Sequence, residues 1–334
     1  MTTTRPTIDP AALTSAATTV APEAGATVEI GHWNIQHGRH TAQAVAWLLR
    51  RAEANGFLPA ALMLNELVPG QGKDVAAAFG MRYFPAPLAP VIDEETDSRR
   101  RHLNAIFIDP NGPLVPDSWM PNWAGPWLPP ATLPVRLRDE DGTLSPRRLF
   151  LACEHACYWN PQFREATARF FTSLAKDGEL LHVDGDWNAW TVGRAPLRMD
   201  GIADRAFAAN RSVWENGRWA ADVFADRLLT AHGCFDVHRY AAGHLGIADA
   251  YLPTTGHTPD KARQAVPACD VPAAGLAPID RTYASDELAT AVVDARVIAD
   301  PGADELSDHR PRFARYSHQG LAQVMNRGVQ VIHH

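Results

Sequence analysis

One stretch constrains this chain more than any other: His182-Val183-Asp184-Gly185-Asp186-Trp187-Asn188, in which the apolar run Leu180 to Val183 delivers carboxylates and a carboxamide around a glycine. If the backbone stays extended, alternation puts Asp186 and Asn188 on one face and turns Trp187 the other way, into packing. One anion beside one neutral amide suits phosphate chemistry. The carboxylate can hold a metal or a polarised water, and the amide can donate to a phosphoryl oxygen without adding repulsive charge. Taken alone the same residues describe an Asp-Gly turn, so the rest of the chain has to decide.

Several other apolar runs end in the same way. Thr27 to Ile35 predicts a strand that stops at Asn34-Ile35-Gln36-His37-Gly38, and Ala60 to Leu64 a buried strand ending on Asn65-Glu66. His102 to Ile108 predicts a strand carrying Asn104. Leu133 to Leu137 and Arg148 to His155 read as a hairpin across Asp139-Glu140-Asp141-Gly142, with His155 at its end. Near the C-terminus, Ile279 to Ala284 and Ala289 to Ile298 read as strands, followed by Leu306-Ser307-Asp308-His309 and a short strand Phe313 to Tyr316. Helical spacing predicts a helix capped by Thr41 and running to Ala54 with Gly56 beyond it, a short helix Asp74 to Phe79, and one capped by Asn160 and opened by Pro161 that runs to Lys176. Arg194 to Trp214 reads as irregular, Ala220 to Ala231 as helix, and Tyr251 to Val271 as a long loop. With no internal repeat and no linker, one domain is expected over residues 27–317, between a flexible tail at 1–26 and a C-terminal tail at 318–334.

At 334 residues the chain is long enough for a sizeable core, and 46% hydrophobic with 21% charged residues is a soluble globular composition. The formal net charge of -7 supplies no basic field for a polyanion. Such a substrate would have to be gripped through cations or local arginines, of which Arg99 and Arg101, in the triplet before the His102 strand, are candidates. Four cysteines are too few for a disulfide framework. Cys153, His155 and Cys157 lack a second ligand pair at zinc-finger spacing. The Thr/Ala/Pro-rich start has no signal-peptide core, and no window approaches a membrane span, so a cytoplasmic location is expected. Trp119, Trp123 and Trp127 lie in a Pro-rich insertion and read as packing, or as a surface on which bases stack.

Asn34, Glu66, His155, Asp186 with Asn188, Asp280, and Asp308 with His309 therefore all sit just past apolar runs. Brought to one sheet rim, these anions would repel unless a divalent cation joined them, and their oxygen donors point to Mg²⁺, with Mn²⁺ or Ca²⁺ as alternatives, rather than zinc.

On the pieces Trp33-Asn34-Ile35, Leu64-Asn65-Glu66, Leu103-Asn104-Ala105, Glu154-His155, Gly185-Asp186-Trp187-Asn188, Ile279-Asp280-Arg281 and Ser307-Asp308-His309, in that order, the chain resembles the endonuclease/exonuclease/phosphatase (deoxyribonuclease I-like) superfamily. The resemblance implies an α/β four-layer sandwich, two mixed sheets face to face with helices outside, and a metal-dependent phosphoesterase. Nucleic acid is the expected substrate and a small or lipid-derived phosphate ester the alternative; a silent binding scaffold is the reading from another class. It further implies Glu66 as principal metal ligand with Asn34 beside it and Asp308 as a further ligand, Asp186 orienting or deprotonating the attacking water, and Asn188 holding a phosphate oxygen. Asn104, Arg99 and Arg101 would face substrate. His309, its tautomer fixed by Asp308, would contact the phosphate or exchange a proton. Asp280 would lie between metal and phosphate, and His155 would donate to phosphate or leaving group. Gln36 and His155 depart from the abasic-endonuclease branch, and no acidic partner for His155 is evident near Arg101 and His102.

Overall fold

The computed structural model describes residues 26–87, 102–118, 127–193, 205–255 and 278–328. The expected N-terminal tail, Arg99, Arg101, Trp119, Trp123 and most of the Tyr251 to Val271 loop lie outside them.

Two mixed six-stranded sheets form the centre. The first runs β13 (Val292–Val297), β14 (Arg312–Ser317), β1 (Thr27–Asn34), β2 (Ala61–Leu67), β4 (Leu103–Ile108), β3 (Arg82–Pro85). The second runs β11 (Cys234–Asp236), β12 (Asp280–Ser285), β8 (Leu180–Asp186), β7 (Leu149–His155), β6 (Ala131–Leu137), β5 (Leu114–Pro116). In each sheet one central pair is parallel, β1 with β2 and β7 with β8. Parallel neighbours need a crossover, and helices α1 (Thr41–Asn55) and α3 (Pro161–Leu174) supply them on the two outer faces.

Alternation along each strand divides the core into three. Ile30, Met63 and Ile106 of the first sheet meet Leu133, Leu151 and Cys153 of the second between the sheets. Trp33, Leu62 and Leu64 pack outward on Val45 and Leu48 of α1 and on α2 (Gln71–Phe79). Phe150, Val183 and Trp187 pack outward on Phe171 of α3 and Leu228 and Leu229 of the helix Phe224–Ala231. This is the expected four-layer sandwich.

Local expectations met different fates. Asn160 caps α3, its side chain accepting from Gln162 N–H, with Pro161 in the first turn. Gly56 ends α1 in the left-handed conformation. His40, not Thr41, is the residue before α1, and the Thr41 hydroxyl instead donates to the Gly38 carbonyl. The segment read as irregular contains a helix, Arg205–Asn210, and a strand β9 (Ser212–Glu215). β9 pairs with β10 (Arg218–Ala221), so the following helix begins only at Phe224. A helix at Val237–His244, capped by Asp236, was not expected. The C-terminal segment expected as a tail from residue 318 forms a helix, His318–Met325, whose Leu321, Val324 and Met325 are buried. Ser317 caps it, and the apolar triplet gives it a face to bury.

A polar seam crosses the inter-sheet space behind the rim. Asp184 of β8 pairs with Arg312 of β14 and accepts from Thr282 Oγ1 at 2.9 Å. Asn65 is 2.6 Å from His32 Nε2 through its Oδ1, and its Nδ2 donates to Asn104 Oδ1 at 2.9 Å. Each side chain in it is buried, so these bonds offset a desolvation cost that apolar packing would not carry.

Candidate active site

The two parallel pairs, and the antiparallel pair of β8 with β12, place their polar endings together. Asn34 lies opposite Asn65, His155 opposite Asp186, and Asp186 opposite Asp280. Gly185 permits the close approach of β7 and β8, because a Cβ there would stand 2.0 Å from the Glu154 carbonyl oxygen. It is not a chain break: β8 continues through it to Asp186. Glu66 sits where the register between β2 and β4 shifts, in the left-handed region at φ 63°. This bulge re-aims its side chain at the rim, at a backbone cost of roughly 1–3 kcal/mol.

Glu66 is the meeting point of several donors. Its Oε1 accepts from Asn34 Nδ2 at 3.0 Å, and its Oε2 accepts from the His37 backbone N–H at 2.7 Å and lies 2.7 Å from His37 Nδ1. Burial would raise its carboxyl, but His37, the charge of His155 and the Asn34 amide outweigh burial and hold it well below the usual carboxylate range. His155 Nε2 stands 3.7 Å from Glu66 Oε1 and 3.6 Å from Asp186 Oδ2. His309 Nε2 stands 3.8 Å from that same Asp186 oxygen.

The partner expected for His309 is corrected by the geometry. Its Nδ1 lies 2.8 Å and 3.0 Å from the two oxygens of Asp280, not against Asp308, so Asp280 is the carboxylate behind the imidazole. Sequence neighbours such as Asp308 and His309 diverge at the entry to a strand, whereas Asp280 is delivered from the other sheet. Burial disfavours a charged imidazole, yet Asp280, helped by Asp186 and Asp308, raises His309 well above its ordinary value; in return His309 overcomes the effect of burial and holds Asp280 below the carboxylate range. Trp33 Nε1 donates to the His309 carbonyl, and the Ser307 hydroxyl donates to the Asn34 carbonyl, fixing this loop to β1.

Asn188 adjoins the rim in the left-handed region at φ 47°, its backbone N–H donating to Asp186 Oδ1 at 2.9 Å. Its own amide is held at both ends: Nδ2 donates to the Ala156 carbonyl and Oδ1 accepts from Arg211 at 2.9 Å. Asn104, expected to face substrate, is instead buried in the seam, donating to the Pro129 carbonyl. Glu154, the neighbour of His155 on β7, has no hydrogen-bond partner among the described residues; burial, and then the charge of Asp186, push its carboxyl well above the ordinary carboxylate range.

Sequence reasoning did not find Arg211, His37 or His102. Arg211 lies in the segment read as irregular, and the two histidines adjoin strands, His37 just past β1 and His102 just before β4, where only the fold shows them meeting. Trp127 donates to the His155 carbonyl at 2.9 Å, so its part is to hold that residue in place.

Among the described residues two groups have ligand atoms close enough to hold a metal ion: Asp186, Asp280 and His309, and His37, Glu66 and His102. Among the described residues no helix is long and apolar enough to cross a membrane.

No family model matches the chain, and no curated protein matches its sequence. Solved structures do match. An AP endonuclease from Archaeoglobus fulgidus is 12% identical with a TM-score of 0.55, over 86% of this chain and 99% of that one. TDP2 of D. rerio, in complex with a single-strand DNA product, is 17% identical with a TM-score of 0.51, over 87% and 99%. An endonuclease/exonuclease/phosphatase family protein from Bacteroides thetaiotaomicron is 13% identical with a TM-score of 0.50, over 88% and 98%. Strand order, layering and these likenesses together give the chain the DNase I-like α/β sandwich fold of the endonuclease/exonuclease/phosphatase proteins.

Proposed function

We propose that the chain is a divalent-metal-dependent phosphoesterase that hydrolyses phosphodiester bonds of DNA or RNA by direct attack of water. One observation carries this reading: Asp186 Oδ2 faces the Nε2 atoms of both His155 and His309, at 3.6 and 3.8 Å. These separations are too long for direct hydrogen bonds, yet short enough for one phosphate oxygen or water to be within reach of all three groups. The solved structures with this fold, among them an AP endonuclease and a TDP2 bound to a DNA product, agree with it.

The donor set fits a hard cation such as Mg²⁺. Glu66 is ionised and buried, with the Asn34 amide beside it and Asp308 on the neighbouring loop, and these three would hold the ion. When bound, the cation would offset phosphate charge. His309, protonated against Asp280, holds its Nε2 proton toward the phosphate. Asp186 accepts the proton of the attacking water, and the backbone N–H of Asn188 fixes its other oxygen. His155 donates to a phosphate oxygen or to the leaving group. Among the described residues Cys153, Cys157 and Cys234 are free thiols, which accords with a cytoplasmic enzyme.

Exposed aromatics favour a polynucleotide over a small phosphate ester. Tyr158 and Trp159, 51% and 42% exposed, follow His155 closely, and Trp214 and Trp219, 63% and 53% exposed, form a cross-strand pair on the β9–β10 hairpin. Buried Arg164 ties the bases of both segments together through the Cys157 and Asn210 carbonyls and Asp222. Stacking on such side chains grips unpaired bases without a basic field.

Fluorogenic oligonucleotides, bis(p-nitrophenyl) phosphate and inositol phosphates, each with Mg²⁺ and with EDTA, test the reading. Oligonucleotide cleavage should require the cation, slow with rising salt, and fall about 10²–10⁴-fold in Asp186→Asn. No hydrolysis of any of these substrates, or hydrolysis unchanged in that variant and so foreign to this site, would favour the scaffold reading.

A further inference from the structure

Glu66 presents its two oxygens to different chemistry. Oε1 faces the amide of Asn34, and Oε2 faces His37. On that second side His37 Nδ1 lies 3.3 Å from His102 Nδ1, and the two rings stack with centroids 4.5 Å apart. A proton shared along this contact satisfies only one of the two nitrogens, and His37 Nδ1 is already committed to the carboxylate at 2.7 Å. The three ligand atoms lie within 4.8 Å of one another. Ligands at about 2.0–2.2 Å from one zinc-sized ion sit at most about 4 Å apart, so small side-chain movements suffice to close the set. His37 is exposed, which gives an ion a path in.

We propose that His37, His102 and Glu66 Oε2 form a cation site selective for a borderline transition ion, Zn²⁺ or Co²⁺, on the side of the carboxylate away from Asn34. Imidazole nitrogen binds such ions ahead of Mg²⁺, which prefers oxygen and holds its water. Three protein ligands leave a fourth position open to water or to a substrate oxygen. The site shares Glu66 with the hydrolytic centre and to that extent rests on the phosphoesterase reading, but its own donors are the two imidazoles.

The test is spectroscopic and uses the full chain, stripped with EDTA and titrated with Co²⁺ in excess Mg²⁺. Visible ligand-field absorption should saturate at one equivalent and survive the Mg²⁺. His37→Ala and His102→Ala should each weaken Co²⁺ binding about tenfold or more. His102→Cys, which keeps a ligand at the same place, should retain the ion and add a thiolate-to-cobalt charge-transfer band. Absorption that Mg²⁺ abolishes, binding unaltered in both alanine variants, or no charge-transfer band in His102→Cys overturns the site. Mg²⁺-supported hydrolysis is read separately, so that outcome would leave the phosphoesterase reading standing.

Discussion

Arg312→Met should unfold this protein more readily than any surface change, and the reason lies in the seam between the sheets. Arg312 and Asp184 are 1% and 0% exposed, so solvent screens neither charge. Burial alone would raise Asp184; Arg312, ahead of His32 and His182, reverses that and holds it below the carboxylate range. Without the guanidinium the anion keeps the Thr282 hydroxyl and two imidazoles at 3.7 and 3.9 Å, which burial itself holds toward the neutral form. Leaving one partner of a buried pair uncompensated costs about 3–5 kcal/mol, a large part of the roughly 5–15 kcal/mol that holds a domain together. Urea unfolding at pH 7 reads the loss. In the variant, burial puts the folded pKa of Asp184 above its unfolded value, so the penalty is full at neutral pH and fades as pH falls through that raised value. Adding Asp184→Leu removes the stranded charge and should recover most of the loss. A loss below about 1 kcal/mol, or a double variant no better than the single, would refute the account.

Three further outcomes are expected. Arg211→Met frees the Asn188 amide, so kcat for oligonucleotides should fall about 10–100-fold, the scale of a hydrogen bond to a charged group, with partial return in Arg211→Lys; unaltered kcat argues against a positioning role. Burial lowers His182 to about 4 and His238 to about 3, so below the ordinary histidine value the unfolded chain takes up protons that the folded one refuses. Their contribution is full above about pH 6.5 and should decline below it by up to about 1.4 kcal/mol per pH unit for each imidazole, visible as a falling urea midpoint as pH drops from about 6 to about 5, where the raised His309 and His37 no longer change stability. Trp214→Ala and Trp219→Ala should each raise KM for single-stranded oligonucleotides about tenfold and that for bis(p-nitrophenyl) phosphate far less; equal effects on both substrates would count against base stacking.

The central strands were legible because their apolar runs are long and end abruptly: Asn34, Glu66, His155 and Asp186 lie at or next to the ends of β1, β2, β7 and β8, whereas the three-residue edge strands β5 and β11 are too short to show such a run. Pairings across the gap were not, because adjacent residues such as Asp308 and His309 carry no mark of which one meets a distant carboxylate. Asn104 misled for the same reason, since a polar residue in an apolar strand serves a seam as readily as a surface. Glu66 acquired its direction from a bulge, which needs two strands to exist. His37 and His102 were hidden in loop and strand-entry positions, and Arg211 followed a six-residue helix too short to show a period.

The dyad of His309 and Asp280 joins the two sheets, and β14, which begins three residues after His309, pairs with β1, the first strand of the chain's described residues. During synthesis the first strand must therefore wait for its neighbour until almost the last part of the domain has left the ribosome. A copy that stops before residue 309 lacks that imidazole altogether, so the face shared by Asp186 and His309 forms only when the chain is nearly complete.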